Sequence, residues 1–323
     1  MHREMIANKV KRGIMAAGMT GTVILAVLLA TNGYSEGTEN DPVRPGNGES
    51  FAVYGVDLPS QVEFAGEPMP LDLFDVREAL DREMLINTYF HSQTIRLIKL
   101  ANRYFPQIEP VLRANLIPDD FKYLAVAESG LSQVVSPVKA VGFWQLLKGT
   151  AREYGLEVNE EVDERYNVVK STQVACQYLI ESYQKYGTWT MAAASYNAGR
   201  NGVDRQIERQ KTEGYYDLLL NEETARYIYR VVSFKLIFEN PEAYGFNLSK
   251  DDLYTGIPTY VVEVDSTVAD FADFAREHDT NYKILKYLNP WLRDTRLTNS
   301  SHKIYEITLP EKGFRRPDAM MEQ

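Results

Sequence analysis

The stretch PDDFKYLAVAESGLSQVVSPVKAVGFWQ, residues 118–145, decides the fold because it combines a helix with an unusual carboxylate. Pro118 and the two aspartates after it suit a first helical turn, apolar residues follow from Phe121, and Gly130 stands where the helix would end. Glu128 lies seven residues after Phe121 and therefore falls on the same face, in the last turn. The pattern predicts a short helix that carries a carboxylate on its inward side.

Glu128 is the sole acidic residue between Phe121 and Arg152. Burial and the negative potential at a helix C-terminus both disfavour an ionised carboxylate, so we expect the pKa of Glu128 to be raised. A raised pKa suits a group that donates a proton in catalysis. The alternative is that Glu128 turns to solvent or caps a loop. A proton-donating carboxyl group suggests glycoside cleavage. Most glycosidases, however, use two carboxylates that flank the bond to be cut, and the residues between Phe121 and Arg152 contain no second one.

Composition and charge exclude some classes of function. The chain has 323 residues, of which 44% are hydrophobic, and this is typical of a folded globular protein with a substantial core. A net charge of −10 argues against a nucleic-acid partner. Cys176 has no second cysteine to pair with, and no two of the four histidines have the spacing of metal ligands, so neither a metal nor another cofactor is expected.

The N-terminus predicts export. A basic start is followed by an uncharged apolar run over residues 13–31, so residues 1–33 are predicted to be a signal peptide or a membrane anchor. Both alternatives place the rest of the chain in the cell envelope, the periplasm, either released or tethered to the membrane. Residues 34–64 begin with a stretch rich in Gly, Asn, Glu and Pro and are predicted to be a linker and an extended arm.

Further helices are predicted from periodicity and caps. Apolar spacing over residues 75–104 indicates two helices. One helix runs from Lys170 to Gly187, and a shorter one follows and ends at residues 197–199, Asn-Ala-Gly. Another begins at Asn221. The acidic residues that lie between these helices are predicted to form a solvated face: Glu153, Glu157, Glu160, Glu161, Asp163 and Glu164.

Four motifs, AVAESGLSQVVSPVKAVGFWQ, the helix from Lys170, AAASYNAGRNGV and EETARYIYRV, occur in an order that resembles the soluble lytic transglycosylase (SLT) family, specifically the membrane-bound lytic murein transglycosylase D type. The resemblance covers residues 65–245. It implies a mainly helical, goose-lysozyme-like catalytic domain of the α+β lysozyme superfamily with a long sugar groove.

The resemblance also implies roles for particular residues. Glu128 matches the catalytic glutamate, whereas Leu147 and Lys148 stand where the family often has Met-Pro. Trp144 and Tyr196 are expected to stack on sugar rings instead of serving as core residues. The residues expected to bind substrate are Ser129, Gly142, Trp144, Gln145, Tyr196, Asn197 and Tyr227.

The activity implied by the resemblance needs one carboxylate. The family's glutamic acid protonates the bond between N-acetylmuramic acid (MurNAc) and N-acetylglucosamine (GlcNAc). Its carboxylate then takes the proton of the muramic acid's own 6-hydroxyl, which closes on C1 to give a 1,6-anhydro product. The tethered nucleophile removes the need for a second carboxylate. Peptidoglycan is then the partner. Two alternatives are a lysozyme-type hydrolase and a catalytically inactive peptidoglycan-binding envelope protein.

The C-terminal part is predicted to be a separate small domain. Residues 257–310 suggest a strand, two helices and a strand, over 260–264, 268–277, 282–288 and 303–309. This βααβ order resembles a LysM module, a type that binds GlcNAc-containing glycan. The alternative is a degenerate module that only packs on the catalytic domain. Residues 311–323 are predicted to be a tail.

Overall fold

The computed structural model describes residues 54–315. The predicted signal peptide or anchor, residues 1–33, and most of the predicted arm therefore lie outside the described residues. Within residues 54–315 no helix is both long and apolar enough to cross a bilayer.

The described chain begins with a hairpin and two helices. Strands β1 (Glu63–Phe64) and β2 (Glu67–Pro68) pair antiparallel, and helices α1 (Phe74–Tyr89) and α2 (His91–Ala114) follow. The two predicted helices are confirmed. Helix α2 nevertheless runs ten residues beyond the predicted end near Tyr104 and includes Pro106 and Pro110. Ile108 and Leu112 in that extension are buried. The free energy gained by burying them outweighs the loss of two backbone hydrogen bonds, for which the prolines have no N–H group.

The middle of the chain supplies the helices that carry the motifs. They are α3 (Lys122–Ser129), α4 (Lys148–Glu153), α5 (Val168–Tyr186) and α6 (Trp189–Ala198). Gly130 ends α3 with φ 58° and Gly187 ends α5 with φ 77°, both in the left-handed region that favours glycine. These two helix ends lie where the sequence predicts them.

Two more helices complete the helical part, α7 (Arg200–Gln210) and α8 (Glu222–Glu239). Asn221 caps α8, as predicted, by accepting a hydrogen bond from the backbone N–H of Thr224 at 3.1 Å. Helix α8 is the central helix: Tyr227, Val231 and Val232 are fully buried, and it packs against α1, α3 and α6.

The N-terminal hairpin is fastened to this helical core. Val62 and Phe64 are buried. Asp120 accepts hydrogen bonds from the Ala65 N–H and from the Lys235 ammonium group, both at 2.7 Å. The Glu67 carboxylate caps the start of α6 by accepting from the N–H and hydroxyl of Thr190, at 2.8 and 2.7 Å. The hairpin is therefore part of the folded helical unit.

The C-terminal module, residues 259–310, has the predicted βααβ order. Strands β3 (Thr259–Val264) and β4 (Tyr305–Pro310) pair antiparallel around helices α9 (Phe271–Glu277) and α10 (Tyr282–Leu288). Helix α9 begins three residues later than predicted because Asp270 caps it. The apolar core of this module also contains side chains from the helical part of the chain, namely Val141, Val162 and Tyr166.

Candidate active site

Glu128 lies in the last turn of α3, one residue before the Ser129 that ends the helix. Leu124 and Ala125 on the same helix are fully buried, whereas Glu128 is only partly buried. The carboxyl group therefore lies where the core meets the surface, as the sequence predicts, and is still accessible to a ligand.

A tyrosine from the central helix holds the Glu128 carboxyl group. The hydroxyl of Tyr227 donates a hydrogen bond to Oε1 of Glu128 at 2.6 Å, and the Tyr227 side chain is fully buried. The two residues are 99 positions apart. The packing of α8 against α3 brings them together.

Burial raises the pKa of Glu128 to about 7, and the negative charge of Glu223 adds to this rise. The Tyr227 hydrogen bond and the positive charge of Arg230 act in the opposite direction but do not cancel the effect of burial. The direction is the one expected from the sequence, and burial is the principal cause. At neutral pH a large share of Glu128 therefore carries a proton.

The GFWQ motif forms a tight loop, in which the Gln145 N–H donates to the Gly142 carbonyl at 3.3 Å. Gly142 has φ 80° and Gln145 has φ 47°. A Cβ atom at position 142 would overlap the carbonyl oxygen of Arg165, so only glycine fits there. The amide NH2 group of Gln145 donates to the carbonyls of Gly142 and Val134, at 2.8 and 3.2 Å. Gln145 thus stabilises the loop in which it lies.

Trp144 does not face a groove. Its side chain is 0% exposed, and its indole N–H donates to the hydroxyl of Thr172 at 2.8 Å. The expectation that Trp144 stacks on a sugar ring is wrong, because no face of the indole is open to a ligand. Its carbonyl accepts a hydrogen bond of 2.7 Å from the hydroxyl of Tyr196, so Trp144 supports the site from within the core.

The YNAG motif forms the end of α6 and joins the other site elements. Tyr196 is partly buried and its hydroxyl binds the GFWQ loop at the Trp144 carbonyl. Asn197 binds α8 at two points: its amide NH2 donates to Glu223 at 3.2 Å, and its amide oxygen accepts from the Thr224 hydroxyl at 2.8 Å. The structure therefore brings all four motifs to one place around Glu128.

Ser129 lies beside Glu128, and its hydroxyl donates to the Ala125 carbonyl at 3.0 Å.

Sequence reasoning missed a second carboxylate. Glu223, in the first turn of α8, is exposed, binds Asn197 and acts electrostatically on Glu128. Its position one residue before Thr224 in the EETARY motif was the available signal. Within residues 54–315 no cluster of His, Cys, Asp or Glu side chains is arranged to hold a metal ion.

The predicted solvated face between α4 and α5 is also wrong in part. Asp163 and Glu164 are buried, with 7% and 4% exposure. Asp163 forms an ion pair with Arg165 at 2.7 Å, and Glu164 forms one with Lys170 at 2.6 Å. These buried acids are tolerated because each is paired and hydrogen-bonded.

Two family models match the chain. Residues 107–219 match the transglycosylase SLT domain. The chain contains an SLT domain. Residues 260–313 match the soluble lytic transglycosylase C-terminal LysM-like domain, which agrees with the βααβ module. The predicted fold class, a mainly helical lysozyme-like domain with a small LysM-like domain, is thereby confirmed, and the SLT match includes Glu128 and the GFWQ and YNAG motifs.

Curated relatives agree with this assignment. The chain is 28% identical over 183 residues to "Membrane-bound lytic murein transglycosylase D" of Escherichia coli strain K12, and the protein of that name from E. coli O6:H1 matches equally. The aligned part is 55% of this chain and 40% of each relative. The match therefore spans less than half the length of these relatives.

Proposed function

We propose that the protein is a peptidoglycan lytic transglycosylase that cleaves the β-1,4 bond between MurNAc and GlcNAc and leaves a 1,6-anhydro-MurNAc end. The observation that carries the proposal is the Glu128 carboxyl group, with a pKa of about 7 and a 2.6 Å hydrogen bond from Tyr227. A carboxyl group of this kind holds a proton at neutral pH and yet forms a stabilised carboxylate after donation. It can therefore act first as the acid and then as the base.

The reaction proceeds in two proton transfers at Glu128. In the first, the carboxyl group gives its proton to the glycosidic oxygen as the bond to C1 breaks, and GlcNAc leaves with a free 4-hydroxyl. In the second, the Glu128 carboxylate takes the proton of the MurNAc 6-hydroxyl while that oxygen forms the bond to C1. The attacking oxygen is tethered to the sugar, so no second protein group has to position water.

Tyr227 and Arg230 stabilise Glu128 after it has given up its proton. Both lower the pKa of Glu128, so both stabilise the carboxylate that exists between the two transfers. Ser129, Gln145, Tyr196 and Asn197 are proposed to contact the glycan around the scissile bond. Gly142 and Tyr227 are buried, so their predicted part in the site is to shape the loop and to hold Glu128.

We place the activity in the cell envelope. The charge-free apolar run at residues 13–31 predicts export, and the curated relatives are named as membrane-bound enzymes. Peptidoglycan is the proposed substrate, and the N-terminal segment is the proposed membrane contact.

The test is mass spectrometry of fragments released from purified peptidoglycan by the protein and by Glu128→Gln. The substitution keeps the shape of the side chain and loses the transferable proton, so cleavage is expected to fall at least about 1000-fold. Retained circular dichroism and retained pelleting with peptidoglycan establish that the variant is folded and binds.

Anhydro-muropeptides released by the wild type alone support the proposal. Fragments with reducing ends identify a lysozyme-type hydrolase instead. Pelleting with peptidoglycan but no fragments from either protein identifies an inactive envelope-binding protein.

A further inference from the structure

The segment between α4 and α5, residues 157–166, is here called the bridging segment, because it contacts the C-terminal module on one side and the GFWQ loop on the other. Its backbone pairs with the module. The N–H of Asp163 donates to the Trp291 carbonyl at 2.9 Å, and the Arg293 N–H donates to the Glu161 carbonyl at 2.7 Å. A strand-like bridge between Val162 and Leu292 lies at the same place.

Acidic side chains of the bridging segment add to this contact. The Glu161 carboxylate accepts from the N–H and the hydroxyl of Thr298, at 2.6 and 3.0 Å. The Glu157 carboxylate forms an ion pair with Lys303 at 2.6 Å and accepts from the Tyr305 hydroxyl at 3.0 Å. Hydrogen bonds to ionised carboxylates are stronger than neutral ones, so this contact is a specific one.

Apolar packing makes the contact continuous with the core of the module. Val162 is 1% exposed and Tyr166 is 7% exposed, and both belong to the same buried cluster as Phe271 and Leu285 of the module. The guanidinium group of Arg293 lies 4.1 Å from the centre of the Tyr166 ring. Removing the module would therefore expose apolar side chains of the catalytic part.

The other side of the bridging segment holds the GFWQ loop. The Arg165 guanidinium group, fixed by Asp163, donates to the carbonyls of Leu146 and Lys139, at 3.1 and 3.2 Å. The carbonyl of Tyr166 accepts from the side chain of Gln133 at 2.8 Å. The Arg165 carbonyl lies so close to Gly142 that a Cβ atom there would overlap it.

We propose that the C-terminal module is a brace for the active site: through the bridging segment it fixes the GFWQ loop, with Glu161 and Arg165 as positioning residues. The loop in turn holds Tyr196, whose hydroxyl binds the Trp144 carbonyl and which interacts electrostatically with Glu128. The inference rests on the proposed function, because the loop matters for cleavage only if Glu128 is the acid and base. Every link from the module to the loop is a direct contact. The α10 to β4 connection is engaged with the bridging segment at Arg293, Thr298 and Lys303, which does not suit a module that moves freely on a linker.

The test compares Glu161→Ala with Glu160→Ala, which removes an exposed carboxylate next to it that makes no contact with the module in the described structure. Glu161→Gln serves as the conservative variant because its amide oxygen can still accept from the Thr298 N–H. Two readouts are needed: kcat and KM on soluble peptidoglycan oligomers, and hydrogen exchange of the amides in residues 133–147.

For Glu161→Ala we expect faster exchange in residues 133–147, kcat about tenfold lower and KM within about twofold of the wild type. Glu161→Gln is expected to recover most of kcat, and Glu160→Ala to equal the wild type in both readouts. If circular dichroism shows Glu161→Ala to be unfolded, Thr298→Val replaces it, because that variant loses only the hydroxyl contact.

Unchanged exchange and unchanged kcat in Glu161→Ala overturn the brace. A raised KM with unchanged kcat also overturns it and identifies the module as a glycan-binding arm. Absence of cleavage by the wild type contradicts the proposed function alone, because the exchange comparison still decides whether the module braces the loop.

Discussion

The hydroxyl of Tyr227 donates a 2.6 Å hydrogen bond to Oε1 of Glu128, across the contact between helices α8 and α3. This bond opposes the effect of burial on the carboxyl group, and the resulting pKa of about 7 lies close to neutral pH. The pair therefore sets the pH at which the proposed acid loses its proton.

Tyr227→Phe is expected to raise the pKa of Glu128 further, because the hydrogen bond that favours the carboxylate is lost. The proposed acid then stays protonated to higher pH, so the descending limb of the plot of kcat/KM against pH shifts to higher pH. The carboxylate formed in the reaction loses a donor, and kcat falls about tenfold. Tyr229→Phe, two residues along α8, is the control. An unmoved limb in Tyr227→Phe would contradict the assigned role.

Glu223→Gln is expected to have the opposite effect on the pH profile. The negative charge of Glu223 raises the pKa of Glu128, so its removal lowers that pKa and moves the descending limb of kcat/KM to lower pH. Glu222→Gln removes the neighbouring charge, which pairs with Arg82 and Arg226, and should leave the limb in place. Equal shifts in both variants would mean that the pKa of Glu128 responds to the net charge of the protein and not to Glu223 in particular. Both profiles are measured at the same ionic strength.

Glu128→Gln is expected to stabilise the fold at alkaline pH. The folded pKa of about 7 lies above the ordinary value of 4.5, so the folded state binds the proton more tightly and stability falls as pH rises from about 4.5 to about 7. The glutamine variant lacks this loss. Its advantage in unfolding free energy should grow by about 3 kcal/mol between about pH 4 and pH 8. Denaturant unfolding at both pH values measures it, and a constant difference would argue against a raised pKa.

Gly142→Ala is expected to destabilise the protein by about 3 kcal/mol or more, because the new Cβ meets the Arg165 carbonyl and the backbone has φ 80°. Gly149→Ala is a matched control: it lies in helix α4, has open space around it, and should be neutral or slightly stabilising. Thermal unfolding of the two variants gives the comparison. Similar stability in both would show that the loop adjusts more easily than its packing indicates.

Local signals in the sequence predicted much of the fold. Gly130 and Gly187 mark helix ends because glycine takes the left-handed conformation easily, and Asn221 marks a helix start because its side chain caps N–H groups. Helix α7 escaped prediction because it is polar on nearly all sides and buries only Val203. Its apolar contact with the core is limited to Val203 and the partly buried Ile207, one turn apart, which is too short a pattern to predict a helix.

Long-range contacts were beyond the sequence. The motif resemblance brought Tyr227 and Glu128 into one predicted site. It did not indicate that Trp144 is buried, because the indole N–H finds its hydrogen-bond partner in Thr172, 28 residues away. The role of Glu161 depends on Thr298, 137 residues away. A run of acidic residues has the same pattern whether it faces water or another part of the chain. Only the fold distinguishes the two cases.

The contact of Glu67 with the start of α6 has a consequence for engineering. The hairpin has strands of only two residues and resembles a loop that tolerates insertions or deletions. Its carboxylate nevertheless binds the first turn of the helix whose last turn carries Tyr196 and Asn197. A shifted hairpin would remove this cap from the helix that carries both residues. Libraries that vary this protein should therefore keep the hairpin length constant, even though it is remote in sequence from every motif.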